Sequence, residues 1–366
     1  MSSRPILVMA GGTGGHVYPA LAVARALQEQ SREIVWLGTH RGIESRVIPQ
    51  AGIRMEWISV AGLRQKGMFA LLLAPFRLTL ALFQSLRVMF RHRPAAVLGM
   101  GGFASGPGGL AAWLTRRPLV IHEQNAVAGL TNRLLARLAR VVLQAFPGSF
   151  SANIKSETVG NPVRADIAAL ADPDERFMDR DGPLRLLILG GSQGALALNR
   201  AVPAALALLP DNMRPTVLHQ AGERTLAAAT EAYAAHDIDV ELKPFIEDMA
   251  AAYAWADLVV CRAGALTVAE LSAVGLPAIF VPYPAAVDDH QTINAGPMID
   301  AGAAVIMQEA AMSDESLAAL LKNWLSGRNE LLERARKARA LARPDALRRI
   351  TTICLEAAGE TAEAVA

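Results

Sequence analysis

Short apolar runs alternate along the chain with stretches of helical length, and glycine-rich turns separate them. In the first half the runs fall at Arg4–Met9, Ala96–Gly99, Leu119–His122 and Val141–Leu143. In the second they fall at Leu186–Leu189, Thr216–His219, Val240–Leu242, Leu258–Cys261, Ala278–Val281 and Ala304–Met307. Each is apolar at successive positions, the signature of a strand buried on both faces. Helical patterns cover Val17–Gln30, Leu196–Leu208, Ala265–Ala273, Ser313–Ser326, Arg328–Leu341 and Asp345–Ala358. Such alternation predicts an α/β fold with parallel sheets. Ile6–Leu27 and Leu186–Leu208 repeat the order strand, glycine loop, helix, which predicts two similar βαβ domains facing each other. Phe146-Pro147-Gly148, the extended Val159–Arg164 and the polar Ala171–Pro183 read as the connection. Pro344 marks where the last helix turns back onto the N-terminal domain, so the expected division is 1–163 with 345–366 against 164–344.

Gly67–Arg93 departs from this alternation. Its apolar density invites a membrane span, yet Pro75, Arg77 and Arg87 interrupt it and no uncharged stretch reaches the ~18 residues a span requires. Taken as a helix from Pro75, it places Arg77, Gln84, Arg87 and Arg91 in one polar stripe, with Leu, Phe and Met over the remaining face. A basic amphipathic helix of this kind lies in a membrane interface, here with Phe76, Leu80 and Phe83 entering it among Arg77, Arg87 and Arg91. Arg64, Lys66 and Arg93 would add headgroup contacts. A helix packed on a sheet shows an equally broad apolar face, and both readings hold if one face packs inward while the upper turns stay exposed.

Charge supports a division of labour. Residues 1–165 carry 19 Lys and Arg against 6 Asp and Glu, a net of +13, and the rest carry 17 against 28, a net of −11. The basic half suits polyanions or an anionic membrane surface. No nucleic-acid partner is expected. The length of 366 residues exceeds one ordinary core. Two cysteines, Cys261 and Cys354, fit neither a disulfide framework nor a metal knuckle and point to a reducing, cytosolic setting. The N-terminus runs directly into strand residues, without the regions of a signal peptide.

The glycine loops carry the candidate chemistry. Gly11-Gly12-Thr13-Gly14-Gly15-His16 lets main chain approach a phosphate and presents the amides of a helix start. It lacks the Gly-Lys-Ser/Thr of a P-loop. It also lacks the third glycine of the dinucleotide fingerprint, where Val17 stands, and an acid at Trp36-Leu37-Gly38-Thr39. An NAD or ATP role is disfavoured, which leaves a different diphosphate. A second loop, Met100–Gly108, follows Ala96–Gly99, and Glu123-Gln124-Asn125 follow a strand end where ligands bind or where they cap the next helix. Gly190–Ala195 forms a third loop. In Val259–Ile279, Arg262–Gly264 turns from a strand into a helix whose first amides and positive dipole end face an anion, with Glu270 in reach of a sugar hydroxyl beside it.

The runs GGTGGHVYPALA, GMGGFASGPGGLAAW, HEQNAVAGLTN, VGNPVR, GGSQGALALN, FIEDMAAAYAWADLVVCRAGALTVAEL and DDHQTINA, taken together and in this order, resemble a family of bacterial peptidoglycan glycosyltransferases. Its members add N-acetylglucosamine to undecaprenyl-diphospho-N-acetylmuramoyl-pentapeptide, converting lipid I to lipid II. The resemblance implies a GT-B fold of two Rossmann-like domains facing across a cleft, UDP-N-acetylglucosamine as donor and inversion at the anomeric carbon. It also implies peripheral attachment to the cytoplasmic face of the inner membrane. By similarity, Ser192 and the amides at Ala265 and Leu266 would hold the donor diphosphate, with Thr267, Val268 and Ala269 as further donor-binding positions. The Ile246 backbone would read uracil beside Arg262, and Glu270 would accept from the ribose. Asn125, His290 and Gln291 would contact the sugar, and Arg164, Thr13, Gly14 and Gly15 match further donor-site positions. Gly12, Gly14, Gly15, Gly102, Ser105 and Gly106 would cradle the acceptor diphosphate. UDP-N-acetylglucosamine epimerases, and other UDP-sugar:lipid transferases of this fold, are the alternatives.

A displacement needs a base for the acceptor hydroxyl and stabilisation of the departing UDP. His16, at a helix start, is the candidate base, since imidazole titrates near neutrality; its other reading is a phosphate-binding or packing histidine. Glu123 is the runner-up. No metal or cofactor is expected, and helix dipole and amides would stabilise the leaving group. Asp288-Asp289 read as a cap for the helix bearing His290 and Gln291.

Overall fold

The computed structural model describes residues 4–60, 74–178, 180–191, 194–286 and 289–360. The chain divides into two units, Met1–Val163 with Asp345–Ala366, and Arg164–Pro344. The first holds β1 (Ile6–Met9), α1 (Gly14–Glu29), β2 (Ile34–Gly38), α2 (Glu44–Gln50), β3 (Arg54–Trp57) and α3 (Ala74–His92). It continues with β4 (Ala96–Gly99), α4 (Ser105–Leu114), β5 (Leu119–Glu123), α5 (Leu130–Leu135), β6 (Val141–Gln144) and β7 (Glu157–Thr158). The second holds α6 (Ala165–Ala168), α7 (Pro173–Phe177), β8 (Arg185–Leu189), α8 (Leu196–Ala207), β9 (Thr216–Gln220), α9 (Leu226–Ala235), β10 (Glu241–Lys243) and α10 (Met249–Trp255). There follow β11 (Leu258–Cys261), α11 (Ala265–Val274), β12 (Ala278–Phe280), α12 (His290–Asp300), β13 (Ala304–Ile306), α13 (Asp314–Trp324) and α14 (Arg328–Arg339). The last helix, α15 (Ala346–Ala357), belongs to the first unit and packs on α1, β4 and β5.

Both sheets are parallel. The first has seven strands in the order β3-β2-β1-β4-β5-β6-β7 and the second six in the order β10-β9-β8-β11-β12-β13. In β1, Leu7 pairs with Val35 of β2 on one side and Val97 of β4 on the other. Successive side chains of a strand point to opposite faces, and both faces here are covered. Ile6 and Val8 pack with α1 and with Ile350, Ile353 and Cys354 of α15. Leu7 and Met9 pack on the other side with Val88 and Met89 of α3, Ala111 of α4 and Leu135 of α5. In the second unit Leu186 and Ile188 pack with Leu198 and Val202 of α8, Leu317 and Leu321 of α13 and Leu331 of α14. The architecture is the expected pair of Rossmann-like sheets.

Three local differences have physical causes. α1 begins at Gly14, three residues before the apolar pattern does, because Thr13 is extended and the two glycines after it adopt helical geometry. β3 and β7 lie at sheet edges and carry half-exposed polar residues, so no apolar run announces them. The apolar face of α3 is divided between core and surface: Ala81, Ser85, Val88 and Met89 are buried, while Phe76, Phe83 and Phe90 are 75%, 66% and 67% exposed. Within the polar stripe, Gln84 accepts from the Ser59 amide at 2.7 Å and Arg91 lies 3.5 Å from Glu56. Among the described residues no helix is long and apolar enough to cross a membrane.

Candidate active site

Each sheet reverses its strand order once, between β1 and β4 in the first unit and between β8 and β11 in the second. Loops leaving such neighbours part in opposite directions at the carboxyl edge, where open α/β sheets take ligands.

In the first unit the loops after β1 and β4 touch. Gly102 has φ +83°, and a Cβ on it would lie 2.2 Å from the Gly11 carbonyl oxygen, so only glycine permits this approach. A Cβ on Gly101, at φ +90°, would lie 2.8 Å from His16 Cδ2, which sets the imidazole of the first loop against the second. Thr13 Oγ1 is 3.3 Å from His16 Nδ1 and fixes the other edge of the ring. The His16 amide donates to the Thr13 carbonyl, so Gly14 and Gly15 supply the outward amides of α1. In α4 the Gly108 amide donates to Ala104 at 3.2 Å and Pro107 has none, leaving Ser105 and Gly106 to present theirs.

Two expected acceptor contacts change. The Gly12 amide donates to Glu44 Oε2 at 2.9 Å. The fully buried Ser105 hydroxyl lies 2.7 Å from the Gly101 carbonyl oxygen and 3.0 Å from that of Met9. Both donors are satisfied within the protein, and what Ser105 can offer an anion is its main-chain amide. Glu44 also accepts from the Thr39 amide at 3.1 Å and the Thr39 hydroxyl at 2.8 Å. This buried carboxylate, absent from the sequence reading, props the first loop from behind. No acid ends β2, and Glu44 opens α2 six residues beyond it.

Glu123 loses its claim to be a base. Its Oε1 accepts from the amide and side chain of Asn125, at 3.0 and 3.2 Å, and its Oε2 from the Gly129 amide and Asn132, at 3.1 and 2.9 Å. A buried carboxylate with four donors is a clasp for the loop after β5. Asn125 is thereby held at the carboxyl edge, half-buried.

In the second unit α11 starts at Ala265 after the extended Gly264, and Val268 is the first residue to donate back, to Gly264 at 2.9 Å. Leu266 and Thr267 therefore present first-turn amides. Val268 is buried with its amide spent, and Ala269 lies a residue deeper in the helix, so neither main chain is placed for an anion. Glu270 projects from the second turn: its Oε2 accepts from the Tyr253 hydroxyl at 2.9 Å, and Oε1 lies 3.9 Å from Arg164 Nε. Burial raises the Glu270 carboxyl above the usual carboxylate range, against the pull of Tyr253 and Arg164.

Arg262 is turned away from the anion corner. It donates to the Val281 and Pro282 carbonyls, each at 2.9 Å, pairs with Glu309 at 2.5 Å and lies over Tyr283. It clamps the loop after β12. The Ile246 amide donates to Gln220 Oε1 at 2.9 Å, so its carbonyl is the group it offers a base edge. His290 opens α12 behind Asp289, and Gln291 Oε1 accepts from the Tyr283 amide at 2.9 Å. Asp289 is the N-cap, in left-handed geometry, but accepts from the Thr292 hydroxyl rather than from an amide. Ser192, Asp288, Arg64 and Lys66 lie outside the described residues. Among the described residues no group of three or more His, Cys, Asp or Glu is placed to hold a metal.

The exposed apolar surface of the first unit extends past α3. Arg77, Arg87 and Leu80 are exposed on that helix. Trp113 and Leu114 on α4, and Leu130 and Leu134 on α5, are exposed on helices packed in sequence beside it.

Comparison with known proteins places these features. Residues 6–144 match the glycosyltransferase family 28 N-terminal domain, and residues 185–350 the glycosyltransferase family 28 C-terminal domain. The chain is 60% identical, over 97% of its length and 99% of the relative's, to the UDP-N-acetylglucosamine--N-acetylmuramyl-(pentapeptide) pyrophosphoryl-undecaprenol N-acetylglucosamine transferase of Alkalilimnicola ehrlichii. The crystal structure of Acinetobacter baumannii MurG is 43% identical, covers 96% of this chain and 99% of its own, and superposes with a TM-score of 0.85. A putative UDP-N-acetylglucosamine 2-epimerase from Listeria monocytogenes covers 98% of both chains at TM-score 0.69 but is 14% identical, which shows the fold alone.

Proposed function

The chain belongs to glycosyltransferase family 28, and from that premise we propose that it transfers N-acetylglucosamine from UDP-N-acetylglucosamine to a lipid-linked N-acetylmuramyl-pentapeptide, the reaction for which its relatives are named. It is an N-acetylglucosaminyltransferase of peptidoglycan precursor synthesis. The epimerase alternative has only the shared fold in its favour.

The observation that carries the residue assignment is the imidazole of His16, held by Thr13 and set against Gly101 where two glycine loops meet. With Glu123 clasped by four donors, His16 is the base of this edge. We assign it the proton of the acceptor hydroxyl: as that proton passes to Nε2, the hydroxyl oxygen bonds to the anomeric carbon from the face opposite the diphosphate. The bond from that carbon to the diphosphate oxygen breaks, and its electron pair leaves on UDP. The configuration inverts. On the second unit the amides of Leu266 and Thr267 and the dipole of α11 meet the growing negative charge, Glu270 receives the ribose hydroxyls and the Ile246 carbonyl faces uracil. Arg164, Asn125, His290 and Gln291 complete the donor contacts. On the first unit the amides of Gly14, Gly15, Gly102, Ser105 and Gly106 hold the acceptor diphosphate.

The acceptor is lipid-linked, and we place the membrane contact on α3, with Phe76, Leu80 and Phe83 in the interface and Arg77, Arg87 and Arg91 at the anionic headgroups. The protein then works peripherally, at the cytoplasmic face of the inner membrane where UDP-sugars are available. Incubation with radiolabelled UDP-N-acetylglucosamine and the lipid-linked acceptor tests the reaction. Label passing into the organic-extractable product is the expected result, and label confined to water-soluble species overturns the reading.

A further inference from the structure

We infer that Tyr253 is the positioning residue of the donor site: its hydroxyl, donated to Glu270 Oε2 at 2.9 Å, orients the Glu270 carboxylate toward the ribose diol and so sets the preference for a ribonucleotide over a 2′-deoxyribonucleotide. The inference rests on the reading that Glu270 receives the ribose.

Tyr253 lies on α10, 1% exposed, and its ring reaches across to the second turn of α11. A tyrosine so buried must find a partner for its hydroxyl, and here the partner is a carboxylate that the rest of the fold leaves with little support. The Glu270 side chain is 18% exposed, enough to meet a ligand, while Arg164 stands no closer than a 3.9 Å ion pair. Phenol donation fixes one oxygen of the carboxylate and leaves lone pairs on both for two sugar hydroxyls, which a freely rotating glutamate would meet only part of the time. The charged and titratable groups that face the pair are Arg164 and Asp166 at the start of α6, Tyr253 itself and Cys261 on β11; among the described residues none from α12 or α14 adds to them. Burial raises the Glu270 carboxyl and the Tyr253 hydrogen bond lowers it, so the phenol also keeps the carboxylate ionised at lower pH. Burial pushes the phenol itself far above its ordinary value, and it remains a donor throughout.

Tyr253→Phe keeps the ring and removes only the donor. Binding of UDP and of 2′-deoxy-UDP is measured by calorimetry from pH 5 to 8 for the wild type, Tyr253→Phe and Glu270→Gln, with urea unfolding as a check on folding. For Tyr253→Phe we expect UDP affinity to fall about tenfold, the range of one hydrogen bond to a charged group, with 2′-deoxy-UDP, which keeps only the 3′-hydroxyl, losing clearly less, and the acid limb of UDP binding to move to higher pH. Equal losses for both nucleotides with an unmoved acid limb would make Tyr253 a packing residue and overturn the inference. If Glu270→Gln itself leaves both the affinity and the preference intact, the ribose reading of Glu270 fails first; if Glu270→Gln abolishes the preference and Tyr253→Phe leaves it, only the role of Tyr253 falls.

Discussion

The two switch points share one architecture and differ in what stands behind it. In the first unit the main chain is crowded, glycine against glycine, and the side chain brought to the edge is a basic ring, His16. In the second the edge carries an acid, Glu270, with a phenol behind it. The helix starts of α1, α4 and α11 offer the same thing, amides and a positive dipole end. Under the proposed assignment the side chains divide the labour: an imidazole suits an acceptor hydroxyl, and a carboxylate suits the diol of a nucleotide. The fold therefore supplies helix starts at both switch points, and the side chains beside them differ.

The sharpest way to break the comparison is to remove the imidazole proposed as the base. His16→Ala should slow turnover by about 10²–10⁴-fold, the span of general-base catalysis, and leave UDP affinity unchanged, because the donor contacts of α11 lie on the other unit. Turnover with the radiolabelled donor and calorimetry with UDP read the two effects separately. A variant that keeps full turnover removes His16 from the mechanism.

Much of this was legible in the sequence. The central strands of both sheets are legible because each is apolar at successive positions, while the edge strands β3, β7 and β10 carry polar residues; the glycine loops are legible because glycine is needed where main chain meets main chain. The corner at Gly264–Glu270 was placed by strand, turn and helix alone. What escaped depends on contacts distant in sequence: Glu44 reaching Gly12 across 32 positions, Tyr253 reaching Glu270 across 17, Arg262 folding back onto Val281 and Pro282. Glu123 looked like a base because it ends a strand at the binding edge; only its four donors reveal a clasp.

Away from the edges the units should behave alike, and acid tests that. Each buries a histidine: His122 donates from Nε2 to the Gly160 carbonyl at 2.9 Å, and His219 pairs with the Tyr233 hydroxyl at 2.9 Å. Burial lowers His122 to about 4 and His219 to about 3. Both are depressed, so their contribution is complete above the unfolded value near 6.5 and is lost as pH falls toward these values. For His122 the full span is worth roughly 3 kcal/mol. Two imidazoles still neutral by NMR at pH 5, with urea midpoints falling below pH 6, are expected; a histidine that titrates normally would show its surroundings to be wet.

At the membrane the units should differ. Exposed phenylalanines flanked by arginines occur together on α3 of the first unit, and each basic residue near an anionic surface is worth about 1 kcal/mol. Reversing Arg77, Arg87 and Arg91 to Glu should lower partition into anionic vesicles by about a hundredfold or more, with UDP binding preserved. Unchanged sedimentation with vesicles would leave α3 as a helix that covers the sheet and nothing else.

The smallest effect asks how the glycine loops are supported. The loop after β8 is held by main chain, the Gly190 amide donating to the Gln220 carbonyl at 3.0 Å, with Thr225 filling the space beside Gly194. The loop after β1 depends instead on the Glu44 carboxylate, which accepts from Gly12 and twice from Thr39. Glu44→Gln preserves shape but turns one acceptor into a donor. With Oε1 kept for Thr39, the new amide would face the Gly12 amide donor to donor. A buried donor left without its partner costs about 1–3 kcal/mol, and here the cost falls on the loop that carries His16. Urea unfolding should record that loss, and turnover should fall more than UDP affinity, since the strain displaces the base and not the nucleotide contacts. Wild-type stability and turnover in Glu44→Gln would mean that the glycine contacts with Gly101 and Gly102 alone hold the loop, and the two units would then differ only in the side chains at their edges.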